Sequence, residues 1–280
     1  MTGFVVPFDQ LPDRFAESVA HPPEHPVAPR PAATIVLLRD SGGGPEVLLL
    51  RRNRSAGFVP GAHVFPGGRV DRSDASEALV ARLDGLDAAA AARRLELPGG
   101  DPPALAYYLA ALREAFEETG ILVAHDGDGR APGTAAEDPA VDALRDDLME
   151  ERITFEGALD RLGCRLDGAA VEYLAHWITP EPEPRRYDTR FFAAKVRPGD
   201  DAVVDPREMT DAVWITPTAA LRRLREGTLP MVFPTIHTLE DLERFRSVDA
   251  ILSDLRGRRI PTILPRLVIT PTGIGTELDL

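Results

Sequence analysis

Leu105, Leu109, Leu112 and Phe116 recur at spacings of four, three and four, which lays an apolar stripe along one face of a 3.6-residue helix. Asp101 can accept a free amide as an N-cap, Pro102 and Pro103 suit a first turn, and Gly120 suits a left-handed C-terminal residue, so the pattern predicts a helix over about residues 102–119. Upstream, apolar runs at 33–38 and 46–50 flank Ser41-Gly42-Gly43-Gly44, the signature of a hairpin. Residues 63–65 read as a third strand ending at a glycine pair, and 121–124 as a strand after the helix. Helical residues are expected over 140–162, and strands at 173–178, 189–196 and 212–215. Thr216 and Pro217 then begin a helix that Gly227 ends, and 239–255 supplies further helix. Residues 1–31 are rich in proline and read as an irregular or mobile arm. The whole is an α/β chain without internal repeat.

The polar face of the 102–119 helix carries Glu114, Glu117 and Glu118, with Glu114 one turn from both of the others. Like charges at this spacing cost a helix a few tenths of a kcal/mol each, and acids in its last turns oppose the dipole by about 0.3–1 kcal/mol. A divalent cation reverses both signs, because hard oxygen ligands are what magnesium prefers. On the residues alone, a solvated acidic face and a metal site both fit.

The run Arg113-Glu114-Ala115-Phe116-Glu117-Glu118-Thr119-Gly120-Ile121 resembles the second half of the Nudix box, at every fixed position. Phe65-Pro66-Gly67-Gly68 resembles the opening of the same box, with Asp74 where the family usually has Glu. Between Asp74 and Arg113 lie 38 residues instead of seven. This insertion, about residues 75–103, reads as one or two short helices, at 76–83 and 87–97, closed by Pro98-Gly99-Gly100. It is expected to fold out as a surface segment beside the glycine loop, so that Gly68 and Arg113 remain neighbours. A long insertion here is similar to the coenzyme A diphosphatase branch, as are Phe58-Val59-Pro60-Gly61-Ala62-His63 and Trp177-Ile178-Thr179-Pro180 with the later Arg186-Tyr187-Asp188-Thr189-Arg190-Phe191-Phe192. A coenzyme A signature before the box is met at Arg52 and at Gly61 through Gly68, while Gly57 stands where its second arginine belongs.

The resemblance implies a Nudix-like α/β/α sandwich with a mixed β-sheet and helical insertions. It implies a hydrolase domain over 32–240, preceded by the 1–31 arm and followed by a helical extension over 241–280. The implied reaction is attack of water on one phosphorus of a diphosphate, with Mg2+ or Mn2+ as cofactor. Coenzyme A or its acyl esters lead as substrate, with ADP-ribose or NADH as alternatives and a non-catalytic ligand-binding regulator as the reading from another class. The implied metal ligands are Glu114, Glu117, Glu118 and the Gly67 carbonyl. Glu114, Arg113 and Glu117 are the implied catalytic residues; Arg52, Arg54 and Gly68 the implied substrate contacts. Asp188, Glu181, Glu183 and Glu208 are candidates for one more acid from outside the box.

Composition narrows the partners. At 280 residues and 44% hydrophobic, the chain can bury one substantial core. A net charge of −13, from 32 basic and 45 acidic residues, would repel a nucleic-acid backbone, so no nucleic-acid partner is expected. The cations are nearly all arginine, clustered at Arg51, Arg52 and Arg54 and at Arg185, Arg186 and Arg190; each cluster could grip phosphates or simply be solvated. The single cysteine, Cys164, reads as a small buried residue. No run reaches membrane-spanning length and the amino terminus lacks a basic leader, so a cytoplasmic location without membrane association is expected, with a homodimer left open. His63 reads as a loop-shaping residue, and Trp177 and Trp214 as core.

Overall fold

The apolar runs of strands β2 (Arg30–Ser41) and β3 (Gly44–Arg52) are continuous rather than alternating, which requires burial on both faces of a sheet. The structure, a computed structural model, describes residues 5–8, 15–53, 61–205, 207 and 209–278. Ahead of these strands stand β1 (Val5–Pro7) and helix α1 (Phe15–Ala20). β2 and β3 form the expected hairpin, with Ser41 opposite Gly44. Beyond Leu38 the pair diverges, and two short strands fill the gap. β4 (His63–Val64) pairs with Leu50 and Arg51 of β3, and β5 (Gly67–Arg69) pairs with Ala32 to Thr34 of β2. The glycine pair is thereby held against the first half of β2.

The insertion follows. A short 3-10 turn, Arg72–Ala75, leads into α2 (Glu77–Val80), capped by the Ser76 hydroxyl, then β6 (Leu83–Asp84) and α3 (Ala88–Arg94), capped by the Asp87 carboxylate. Both short helices start where the sequence predicts them but end sooner, the first at Val80 with Leu83 in β6 instead, and the insertion is not a surface segment. Leu79, Leu83, Ala91 and Leu95 are buried against the long helix α4 (Ala104–Thr119) in one core. α4 begins two residues later than expected. Pro103 holds its cap position without a side-chain hydrogen bond, and Asp101 stands outside the helix.

Beyond α4 the expected strand at 121–124 shrinks to β7 (Ala124–His125), and the expected helix over 140–162 is two: α5 (Pro139–Met149) and α6 (Phe155–Leu162). The chain breaks between them where Glu151 takes a positive φ and Thr154 caps the second helix. β8 (Arg165–Asp167), β9 (Val171–Ile178), β10 (Tyr187–Lys195) and β11 (Met209–Ile215) follow, then α7 (Pro217–Arg225). The single helix predicted over 239–255 is likewise two, α8 (Phe233–Leu242) and α9 (Val248–Gly257), because the Ser247 hydroxyl caps a new start. Three strands close the chain: β12 (Thr262–Ile263), β13 (Arg266–Thr270) and β14 (Gly273–Glu277). The C-terminal extension is thus not purely helical. The N-terminal arm is not irregular throughout either, since β1 pairs with β14 in a small sheet with β13.

The main sheet runs β11-β3-β2-β10-β9-β12 and is mixed, with β2 parallel to β10 and β3 antiparallel to both β2 and β11. Ile35, Leu37, Leu48 and Leu50 face α4 and the insertion, while Val36, Leu38, Val47 and Leu49 face α7, α8 and α9. The result is the expected α/β/α sandwich. Among the described residues no helix is long and apolar enough to cross a membrane.

Candidate active site

The apolar stripe pins α4 to the sheet, with Leu105, Leu109, Leu112 and Phe116 all buried. Its last turns are therefore fixed over β5, and the two halves of the interrupted box meet. The Gly67 amide donates to Glu118 Oε2 at 2.9 Å. A Cβ at Gly67 would stand 2.5 Å from the Ala33 carbonyl oxygen, so close backbone approach requires that glycine, and one at Gly68 would push the Glu114 carboxylate aside. Gly120 ends α4 at φ 70°, with no room for a Cβ beside Ala135.

Arg113 organises the cluster from within. Its Nε and Nη2 grip the two oxygens of Asp74 at 2.8 and 3.1 Å, Nη2 also donates to the Arg69 carbonyl at 3.0 Å, and Nη1 reaches Glu114 at 3.0 Å and Glu117 at 2.7 Å. Asp74 is wholly buried and also accepts the Asp71 amide at 2.8 Å. Burial alone would lower the Arg113 pKa, but the bonds from Asp74 and the charges of Glu114 and Glu117 outweigh it and hold it above its ordinary value. Burial pushes the Glu114 carboxyl up to about 7, against the pull of Arg113, and raises Glu117 for the same reason. Glu114 and Glu117 are thus drawn in around Arg113 rather than spread over a solvated face.

A cavity of about 450 Å³ opens beside them, lined by Asp71, Asp74, Arg113, Glu114, Glu117 and Glu118 together with Asp205 and Met209. Only oxygen donors and one guanidinium present charge there, the donor chemistry of a hard divalent ion. In this arrangement, however, no three acidic or imidazole groups among the described residues stand close enough to enclose a cation. Glu118 turns to the Gly67 amide and Arg113 supplies the positive charge to Glu114 and Glu117.

Of the acids expected from outside the box, those among the described residues do not line this cavity. Asp188 is bound by His176 at 2.6 Å and Arg190 at 3.0 Å, Glu181 and Glu183 do not line the cavity, and Glu208 falls outside the described residues. Asp205 lines the cavity instead, its carboxylate accepting from Arg207 Nε at 2.8 Å. The Val203 amide donates to the Thr119 carbonyl at 2.9 Å, which ties the 200–205 segment to the end of α4 and turns Asp205 into the cavity. Nothing in the local sequence marks this long-range bond. Arg145 is a second residue the sequence reading missed: its Nε donates to the Glu117 carbonyl at 2.8 Å, satisfying a free carbonyl of α4. Its signal was available, since Val141, Arg145 and Leu148 form the buried stripe of α5 and a charge there needs a partner.

Arg52 ends β3 opposite Met209, which lines the cavity, and its buried Nε has no partner among the described residues. Arg54, Gly57 and Phe58 lie outside the described residues. Arg186 is structural: it donates to the carbonyls of Thr179 at 2.9 Å and Val27 at 2.8 Å, tying down the N-terminal arm. His63 shapes its loop as expected, with Nδ1 3.2 Å from the Pro230 carbonyl and burial lowering its pKa. Trp177 is core; Trp214 is half-buried beneath the Arg39 guanidinium. Cys164 is buried, and burial pushes its thiol up to about 11.

Comparison with known proteins agrees with this geometry. The family model described as the NUDT19 Nudix domain matches residues 29–242. The chain is 30% identical over 263 residues to a Gallus gallus protein named acyl-coenzyme A diphosphatase NUDT19, covering 79% of this chain and 69% of that one. It is 29% identical to the Homo sapiens protein of the same name, covering 85% of this chain and 73% of that one. A crystal structure of a Nudix hydrolase from Alicyclobacillus acidocaldarius superposes with a TM-score of 0.68 at 30% identity, covering 81% of this chain and 96% of that one. With the box halves joined in space and the family model spanning most of the chain, this protein belongs to the Nudix hydrolases, within the NUDT19 Nudix domain family.

Proposed function

We propose that the chain hydrolyses the diphosphate bridge of coenzyme A or acyl-coenzyme A, giving adenosine 3',5'-bisphosphate and phosphopantetheine or its acyl ester. The observation that carries the reading is the Arg113-centred carboxylate cluster against Gly67 and Gly68, in a chain 30% identical to an acyl-coenzyme A diphosphatase. Water oxygen bonds to one phosphorus, the bridging P–O bond breaks, and the departing phosphate leaves with the electron pair. When bound, Mg2+ or Mn2+ supplies charge neutralisation at the phosphate oxygens and lowers the pKa of the attacking water. Glu117, Glu118 and the Gly67 carbonyl would hold it, with Glu114 holding a second ion or accepting the water's proton. Arg113 and Asp74 keep these carboxylates in place. Gly68 leaves the backbone bare for close approach, and Asp205, which lines the cavity, would add a further oxygen donor.

Arg52 and Arg54 are proposed to contact substrate phosphate. The buried Nε of Arg52, without a partner among the described residues and on a residue paired with cavity-lining Met209, supports this role for Arg52. A panel of coenzyme A, acetyl-coenzyme A, dephospho-coenzyme A, ADP-ribose and NADH, each with magnesium and with manganese, tests the reading. The expected order places coenzyme A and its ester first in kcat/KM. A charge-assisted contact contributes about 1.5–3 kcal/mol, so Arg52→Ala should narrow the gap to dephospho-coenzyme A by about tenfold or more, with the metal requirement unchanged. Equal kcat/KM on all five compounds would make the chain a broad nucleoside-diphosphate hydrolase.

A further inference from the structure

A second cavity, of about 340 Å³, shares no lining residue with the first. It opens where the end of α3, brought by the insertion, meets the end of α9 over strands β9, β10 and β12. Six arginines line it, namely Arg93, Arg94, Arg190, Arg256, Arg258 and Arg259, against a single lining carboxylate, Glu96. Five carboxylates pair with them, Glu96, Glu172, Asp188, Asp241 and Asp254, and leave Arg93 without an ion pair among the described residues.

Acids outside the lining already hold Arg258, through Asp241 and Asp254, and Arg190, through Asp188. Glu172, only 4% exposed, accepts from Arg94 Nη2 at 2.5 Å and from Arg256 Nε at 2.8 Å, so one buried acid aims two guanidiniums from distant segments at one opening. Each fork gives Glu172 one nitrogen and keeps its remaining donors. At the base, Arg190 is 4% exposed; its Nη1 donates to Asp188 at 3.0 Å and contacts His176, yet its Nε has no partner among the described residues. A buried guanidinium N–H left unpaired costs free energy that an oxyanion would recover. Arg93 makes no ion pair among the described residues, and Arg259 has only an exposed, 3.5 Å contact to Glu96.

We propose that this cavity is a binding site for a phosphate group, carried as free phosphate or as the phosphomonoester of a small molecule. Planar guanidinium forks converging from three elements match a tetrahedral oxyanion, and the volume leaves room for an organic substituent beside it. The site is independent of the cleavage reading, since it uses none of the cleavage residues.

Calorimetric titration of the full chain in EDTA, at fixed ionic strength, tests this with three probes: inorganic phosphate, AMP and adenosine. Phosphate and AMP should bind and adenosine should not; AMP binding more tightly than phosphate assigns the site to a phosphomonoester, and equal binding assigns it to free phosphate. The Arg93→Ala, Arg259→Ala double variant removes exposed side chains with no buried partner, and should weaken binding at least tenfold with the circular dichroism spectrum unchanged. Arg190→Lys, which keeps the charge and loses the fork, should weaken it as well. Arg52→Ala should leave it unaffected. Phosphate binding that survives the double variant, that vanishes in Arg52→Ala, or that is matched by adenosine would overturn the assignment.

Discussion

Arg113 reaches three carboxylates with one guanidinium, which makes each of them depend on the others' charge. Glu117 belongs to that set and shares the Arg113 Nη1, whereas Glu118 stands outside it and takes the Gly67 amide, a bond glutamine's carbonyl can also accept. Glu117→Gln and Glu118→Gln are each expected to lower kcat/KM by more than about a hundredfold, beyond the usual cost of losing an outer partner of a metal site. The metal-free fold should survive both, as read by its thermal transition. Full turnover by either variant in saturating magnesium would remove that residue from the metal site. A titration effect is cleaner at Glu183, which touches neither cavity. Burial pushes its carboxyl up to about 6, above the 4.5 of the free group. Its contribution to stability is therefore complete below about pH 4.5 and is lost as pH rises through about 6. Glu183→Gln should raise the urea midpoint at pH 8 relative to the parent and not at pH 4.5; an equal shift at both would refute the assignment.

At the scale of elements, the 3-10 turn that carries Asp74 and the helix that carries Arg113 are joined by a buried ion pair across 39 positions of chain. Removing one partner of such a pair leaves a buried charge uncompensated. Asp74→Ala should therefore destabilise the protein by about 3–5 kcal/mol, well beyond a surface substitution. A loss under about 1 kcal/mol in chemical denaturation would show that Arg113 finds other partners. The acid's identity and place were visible in the sequence, but its total burial depends on Leu79, Leu83, Ala91 and Leu95 packing the insertion onto α4. α4 itself was legible because Leu105, Leu109, Leu112 and Phe116 carry the helical period and Gly120 its end; Ser76 and Asp87 likewise marked the starts of α2 and α3. What local pattern did not reveal was settled by distant partners. Val5 pairs with Gly275, at the other end of the chain, so neither β1 nor β14 has a signature apart from the other. Asp205 reaches the cavity through the Val203 bond to Thr119. The break between α8 and α9 was readable in principle from Ser247, whose hydroxyl caps Ala250, but the apolar period runs through it.

Across the whole molecule, the two cores share the same strands. Along β2, Ile35 and Leu37 face α4 while Val36 and Leu38 face α7 to α9, and β3 repeats this with Leu48 and Leu50 against Val47 and Leu49. Neither face can open without leaving the backs of these strands exposed, so the sandwich should unfold as one unit even though the carboxylate cavity lies on the α4 side alone. Leu112 and Leu255 test this from opposite sides, each at most 1% exposed. Leu112→Ala and Leu255→Ala should each cost about 2–5 kcal/mol, shift one common transition, and leave kcat/KM near the parent value below that transition. In the sheet of β1, β14 and β13 no strand is shared with the main sheet, so any early signal should be confined to it and leave hydrolysis intact. Loss of activity and loss of near-ultraviolet circular dichroism should coincide along a urea titration of the parent and of both variants. Leu255→Ala that loses the α9 face in a separate, earlier transition while hydrolysis continues would show that the two cores are energetically independent.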